Sequence, residues 1–147
     1  MFQHILIPTD GSELSTRAIE GGIALARSLN AKVTGFYAAP EYNPSVQEDS
    51  FANFSMSAED YLKATKIRAD AFLAPIAAHA KELKVPFHGI WNINNHPAHA
   101  IARAAEENGC DLIYMASHGR KGLQALLLGS ETQKVLAHSK IPVLVHR

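Results

Sequence analysis

The chain has 147 residues, enough for one domain that buries roughly 68–70% of its unfolded surface. With 47% hydrophobic and 19% charged residues its composition is globular rather than disordered, and 14 basic against 14 acidic residues leave no electrostatic footprint for nucleic acid or an anionic membrane. No apolar run approaches the ~18 residues of a membrane span, and Met1-Phe2-Gln3-His4 is not the start of a secretory leader, so cytoplasmic residence is expected.

The first candidate strand is the apolar run Ile5-Leu6-Ile7-Pro8, and Thr9-Asp10-Gly11-Ser12 is turn and helix-cap chemistry. From Ser12 to about Asn30, Leu14, Ala18, Gly22, Leu25 and Leu29 recur at helical spacing. Gly21 and Gly22 weaken that helix by about 1 kcal/mol each, which makes sense if its backbone packs closely on a sheet. Lys32 to Ala38 reads as the second strand. Residues from Ala39 to Ser57 hold Pro40, Pro44 and no clear period. Such a long connection is either a functional segment, such as a flap over a site, or a tolerated insertion.

Ala58 to Lys84 predicts a helix with Leu62, Ala69, Leu73, Ile76, Ala80 and Leu83 on one stripe, kinked or broken at Pro75. Phe87 to Ile93 is the third strand. Pro97 opens a helix at its favoured first position, Ala98, Ile101, Ala102 and Ala105 line its apolar face, and Gly109 ends it. Cys110, the only cysteine, excludes an internal disulfide and reads as a small buried residue rather than a nucleophile. Leu112 to Ala116 is a continuous apolar strand, Ser130 to about Ser139 the last helix, and Pro142 to Val145 the last strand.

Strands alternating with helices predict a single α/β domain over residues 1–147. Its core is a doubly wound, five-stranded parallel sheet, Rossmann-like or flavodoxin-like, with helices on both faces. Ligands of such sheets bind beyond the C-terminal strand ends where the winding reverses. The residues after Pro8 and after Met115 are therefore the candidates. After Met115 come Ala116-Ser117-His118-Gly119, nine residues from Arg120 to Leu128, and Gly129-Ser130 at the start of the last helix. Ser130-Glu131-Thr132-Gln133 fits a capping box. A helix start presents free N–H groups to an anion, glycines let backbone approach it, and Arg120 and Lys121 add charge.

The stretch Met115-Ala116-Ser117-His118-Gly119-Arg120, then Leu126-Leu127-Leu128-Gly129-Ser130 and Pro142-Val143-Leu144-Val145, resembles the universal stress protein family. Ile5-Leu6-Ile7-Pro8-Thr9-Asp10-Gly11-Ser12 resembles that family's first strand and turn. Members that bind ATP carry G-x2-G-x9-G-[ST]. Here Gly119, Gly129 and Ser130 match it, while Ala116 replaces the first glycine. The resemblance implies a base and ribose near Pro8, Thr9, Asp10 and Ala38, with Met115 and Ala116 at the strand end. It implies phosphates near Gly119, Arg120, Gly129, Ser130, Glu131 and Thr132, with a divalent ion such as Mg2+ on them. It also implies a homodimer through Pro142 to His146, an edge strand protected only by Pro142 and His146-Arg147.

Other readings stand beside these. Asp10 can cap the first helix as well as touch a ligand. His118 follows a strand end but has no nucleophile set around it in the spacing, and reads as a loop histidine. His96 and His99 lie three apart, with His96 a cap and a metal needing further ligands. The function expected is a nucleotide-binding regulatory module of the stress response, with at most slow ATP hydrolysis and no dedicated base. An ATP-cleaving enzyme of the Ser-Gly-Gly-x-Asp-Ser class is disfavoured, because Thr9-Asp10-Gly11-Ser12-Glu13-Leu14-Ser15 lacks the paired glycines. No G-x-x-x-x-G-K-[ST] loop is present. A nucleotide-free homodimeric interaction protein is the alternative that Ala116 favours.

Overall fold

The computed structural model describes residues 1–43, 56–118 and 128–147. Among them the elements run β1 (His4–Pro8), α1 (Glu13–Leu29), β2 (Lys32–Ala39), α2 (Ala58–Glu82), β3 (Phe87–Ile93), α3 (Pro97–Glu107), β4 (Leu112–Ala116), α4 (Ser130–His138) and β5 (Val143–His146). All pairings are parallel, and the strand order is β3-β2-β1-β4-β5. Of the two orders that the alternation allows, this is the Rossmann-like one. β3 pairs with β2 along its whole length, from Val33↔Phe87 to Ala39↔Ile93, and so cannot lie on the far side of β1. The winding reverses between β1 and β4, whose register is Ile5↔Leu112 and Leu6↔Ile113.

Two apolar layers follow from the alternation of side chains along the strands. Ile5, Ile7, Val33, Tyr37, Leu112 and Tyr114 face α1 and α2, where Ala18, Ile23, Ala69, Leu73 and Ile76 complete one cluster. Leu6, Phe36, Ile113 and Met115 face the other way and pack on Ala98, Ile101, Ala105 and Val135 of α3 and α4. Cys110 is buried in this second cluster. Burial pushes its thiol up to about 11, which leaves it a packing residue rather than a nucleophile.

The helices depart from the predicted stripes in instructive ways. In α1 the buried set is Ser15, Ala18, Ile19, Gly22, Ile23 and Ala26, and the expected Leu25 and Leu29 lie at its margin. A Cβ on Gly22 would sit 2.7 Å from Ile7 Cδ1 and 3.0 Å from Tyr114 Cδ1, so the close approach to the sheet is real. In α2 Tyr61 and Thr65 are buried while Leu62 is half exposed. α2 runs through Pro75 without a break. Both Ala71, whose carbonyl loses its partner, and Pro75 face solvent, so water can serve that carbonyl. Gly109, with φ +64, follows the C-cap Asn108 and ends α3 as expected. The connection expected from Ala39 to Ser57 lies outside the described residues from 44 to 55. No helix among the described residues is long and apolar enough to cross a membrane.

Candidate functional site

The C-terminal ends of β1 and β4 diverge over a cleft of about 580 Å³, within the range of small-molecule sites. Its floor and walls bring together Pro8, Thr9, Asp10, Ala38, Met115, Ala116, Gly129, Ser130, Glu131 and Thr132, ten of the residues that the sequence singled out. Gly119 and Arg120 lie outside the described residues. Phe36, Asn95, Pro97, Ile101, His118 and Lys134 also line the cleft, and the sequence reading did not assign them to it.

The β1 side is a rigid turn. Thr9 N donates to Phe36 O, and Thr9 Oγ1 accepts from Gly11 N and from Ser15 Oγ. Asp10 Oδ1 accepts from Ser12 N, which holds the carboxylate at the cleft mouth. The cap of α1 is Ser12, whose hydroxyl accepts from Ser15 N, so Asp10 shapes the turn rather than capping the helix.

The β4 side differs from expectation at the start of α4. Gly129, not Ser130, is the N-cap, and no side chain caps it. Ser130 is the first helical residue and is exposed, so the capping box is not formed. Gln133 instead donates its Nε2 to Leu128 O. The physical reason is the anchor of the turn. Gly129 N donates to Ser117 O at 2.8 Å, and Thr132 Oγ1 donates to Ala116 O and Ser117 O at 3.1 Å each. The Thr132 hydroxyl is thereby spent on backbone. The first intrahelical bond is Gln133 N to Gly129 O, leaving the N–H groups of Ser130, Glu131 and Thr132 without a protein acceptor among the described residues. That is the arrangement by which helix starts receive anions.

Gly129 has φ −59 and ψ 151, so its lack of a side chain matters for space rather than for backbone freedom. A Cβ there would lie 3.2 Å from both Ser117 O and His118 Cα. Ala116 is the last residue of β4. Among the described residues only Asn30 and Lys84 are non-glycine with positive φ, so alanine at this position carries no left-handed strain. Its methyl packs against the α1 side of the core.

Glu131 also departs from expectation. Its Oε2 accepts from Ala98 N at 3.1 Å in the first turn of α3, and its Oε1 from Lys134 Nζ at 2.8 Å. It therefore ties α4 to α3. No local pattern announces a contact 33 residues apart, but Lys134 lies one helical turn beyond Ser130 and Glu131 and was legible from that spacing. His118 Nδ1 is hydrogen-bonded to Ser117 Oγ at 3.0 Å. His96 caps α3 by position without a side-chain bond, and His99 stacks on His138 with ring centroids 4.6 Å apart. Among the described residues no group of three or more His, Cys, Asp or Glu side chains is arranged to hold a metal ion.

Comparison with known proteins places the chain among relatives. A family model described as the universal stress protein family matches residues 1–147. The chain is 30% identical over 151 residues to universal stress protein YxiE of Bacillus subtilis, covering 100% of both. It superposes on the solved structure of a Methanocaldococcus jannaschii universal stress protein with a TM-score of 0.74 at 29% identity, covering 99% of this chain and 95% of that one. A universal stress protein solved in complex with cAMP matches with a TM-score of 0.72 at 27% identity, covering 99% and 97%.

Proposed function

The chain belongs to the universal stress protein family, and from that premise we propose that the cleft between β1 and β4 binds an adenine nucleotide, ATP foremost, as the input of a regulatory module in the stress response. The observation that carries this reading is the uncapped start of α4. Three N–H groups without a protein acceptor among the described residues begin α4, and apolar Phe36, Ile101 and Met115 line the same cleft. A flat base suits the apolar wall and phosphates suit the helix start. Thr9, Asp10 and Asn95 supply polar groups between them. A relative of similar fold holds cAMP, which agrees with an adenine ligand.

The residues fit the remaining expectations as follows. Gly129, Ser130, Glu131 and Thr132 would meet the phosphates through backbone, since the Thr132 hydroxyl and the Glu131 carboxylate are already engaged. With Asp10 and Glu131 the carboxylates of the wall and no three-residue metal set among the described residues, a Mg2+ ion would ride mainly on the phosphates themselves. Mass spectrometry of small molecules released from freshly purified protein tests the reading. Bound ATP supports it. AMP with turnover favours a hydrolase, and no nucleotide favours the interaction-protein alternative.

A homodimer through β5 belongs to the same proposal. β5 ends the sheet beside β4, with no further strand on its outer edge among the described residues, and Leu144 is 38% exposed. Val143 packs into the second core cluster, Val145 is half-buried, and Leu144 is the most exposed apolar side chain of the strand.

A further inference from the structure

We propose that Lys134 reads the phosphate charge of the ligand, and that Glu131 is the partner it leaves to do so. This rests on the nucleotide reading above and adds a specificity determinant to it. Lys134 is the only lysine or arginine among the described residues that line the cleft, whereas the same lining carries two carboxylates, Asp10 and Glu131. By formal count the described wall is net negative.

The Glu131 carboxylate divides its two oxygens. Oε2 takes the Ala98 N–H of α3 and Oε1 takes Lys134 Nζ. The ion pair is half exposed, with side-chain exposures of 56% and 41%. Pairs of that kind are worth little, so the lysine exchanges partners at small cost. A phosphate brings more charge than one carboxylate and forms a stronger charge-assisted bond. Glu131 keeps its hold on α3 through Oε2 while Lys134 turns to the phosphate. A neutral nucleoside offers nothing to turn to. The cleft then discriminates by charge, favouring ATP over AMP and AMP over adenosine.

Titration of the full chain with adenosine, AMP and ATP at two salt concentrations tests this. Lys134→Gln is expected to weaken ATP binding by about tenfold, leave adenosine unchanged and reduce the salt dependence for ATP. Glu131→Gln keeps an acceptor for Ala98 N but releases the lysine, so ATP should bind several-fold more tightly. In the Lys134→Gln background that gain should largely vanish, which separates release of the lysine from simple loss of a repelling charge. An equal gain in both backgrounds, or Lys134→Gln weakening adenosine and ATP alike, overturns the assignment. Wild-type protein that takes up neither adenosine nor ATP overturns the nucleotide reading and this inference with it. Wild-type protein that prefers ATP, beside a Lys134→Gln variant that prefers it equally, overturns the inference alone.

Discussion

Gly129→Ala is the substitution on which the structure is most explicit. Alanine adopts φ −59 and ψ 151 without strain, so its folded-state effect comes from contact and capping, against a gain of about 0.4–1 kcal/mol from the stiffer unfolded chain. The new Cβ would meet Ser117 O and His118 Cα at 3.2 Å, a few tenths of an ångström inside ordinary contact. Both are backbone atoms and cannot rotate aside. The peptide must move outward, which stretches the 2.8 Å bond from Gly129 N to Ser117 O and displaces the first N–H groups of α4. The overlap is worth about 1 kcal/mol, the low end for overpacking. Alanine is also a poorer N-cap than glycine, by about 1 kcal/mol. For a chain of this size the net of about 1 kcal/mol lowers Tm by about 2–4 °C. ATP affinity should fall by about tenfold, because a phosphate site depends on sub-ångström placement of its donors, while adenosine affinity should hold. Thermal melting and titration calorimetry read both effects. A variant that melts with the wild type and binds ATP equally well would refute the steric argument.

Ala116→Gly should leave ATP affinity unchanged and cost roughly 0.5–1 kcal/mol of stability, because Ala116 is a strand residue without positive φ. A large affinity gain in calorimetry would contradict that. His4, the first residue of β1, is buried with its Nε2 hydrogen-bonded to Thr34 Oγ1, and burial with the nearby Lys32 charge lowers its pKa below 6.5. The unfolded chain therefore takes up the proton first, so this contribution is complete above pH 6.5 and is lost as pH falls toward the folded-state value. Urea unfolding between pH 7.5 and 5.5 should show the decline and His4→Gln should flatten it; equal slopes in both proteins would disprove the cause. Leu144→Lys should convert a dimer to a monomer in light scattering. A variant that stays dimeric, or a wild type already monomeric at micromolar concentration, removes the β5 interface.

Much of this molecule could be read before its structure. The alternation of apolar runs with helical periods gave each described element to within a residue or two, because parallel strands buried on both faces are continuous in sequence. The cleft was legible because reversal of winding and the Gly129-Ser130 helix start are local signals. What escaped was decided by tertiary contact. The rotation of the buried stripe in α1 depends on how Gly21 and Gly22 lie on Ile7 and Tyr114. The capping box at Ser130 failed because Thr132 and Gly129 are tied to the end of β4, moving the cap back by one residue. Glu131 lines the cleft, and the tie of its side chain to Ala98, 33 residues away, left no local signal. Asn95 and Pro97 enter the cleft only because β3 lies next to β2, which composition does not reveal.

Equilibrium dialysis of the wild-type chain against labelled ATP with magnesium tests the central claim most directly. The account predicts saturable uptake approaching one nucleotide per chain well below millimolar concentration, displaced by AMP and not by ribose 5-phosphate. No uptake at millimolar ATP would contradict it.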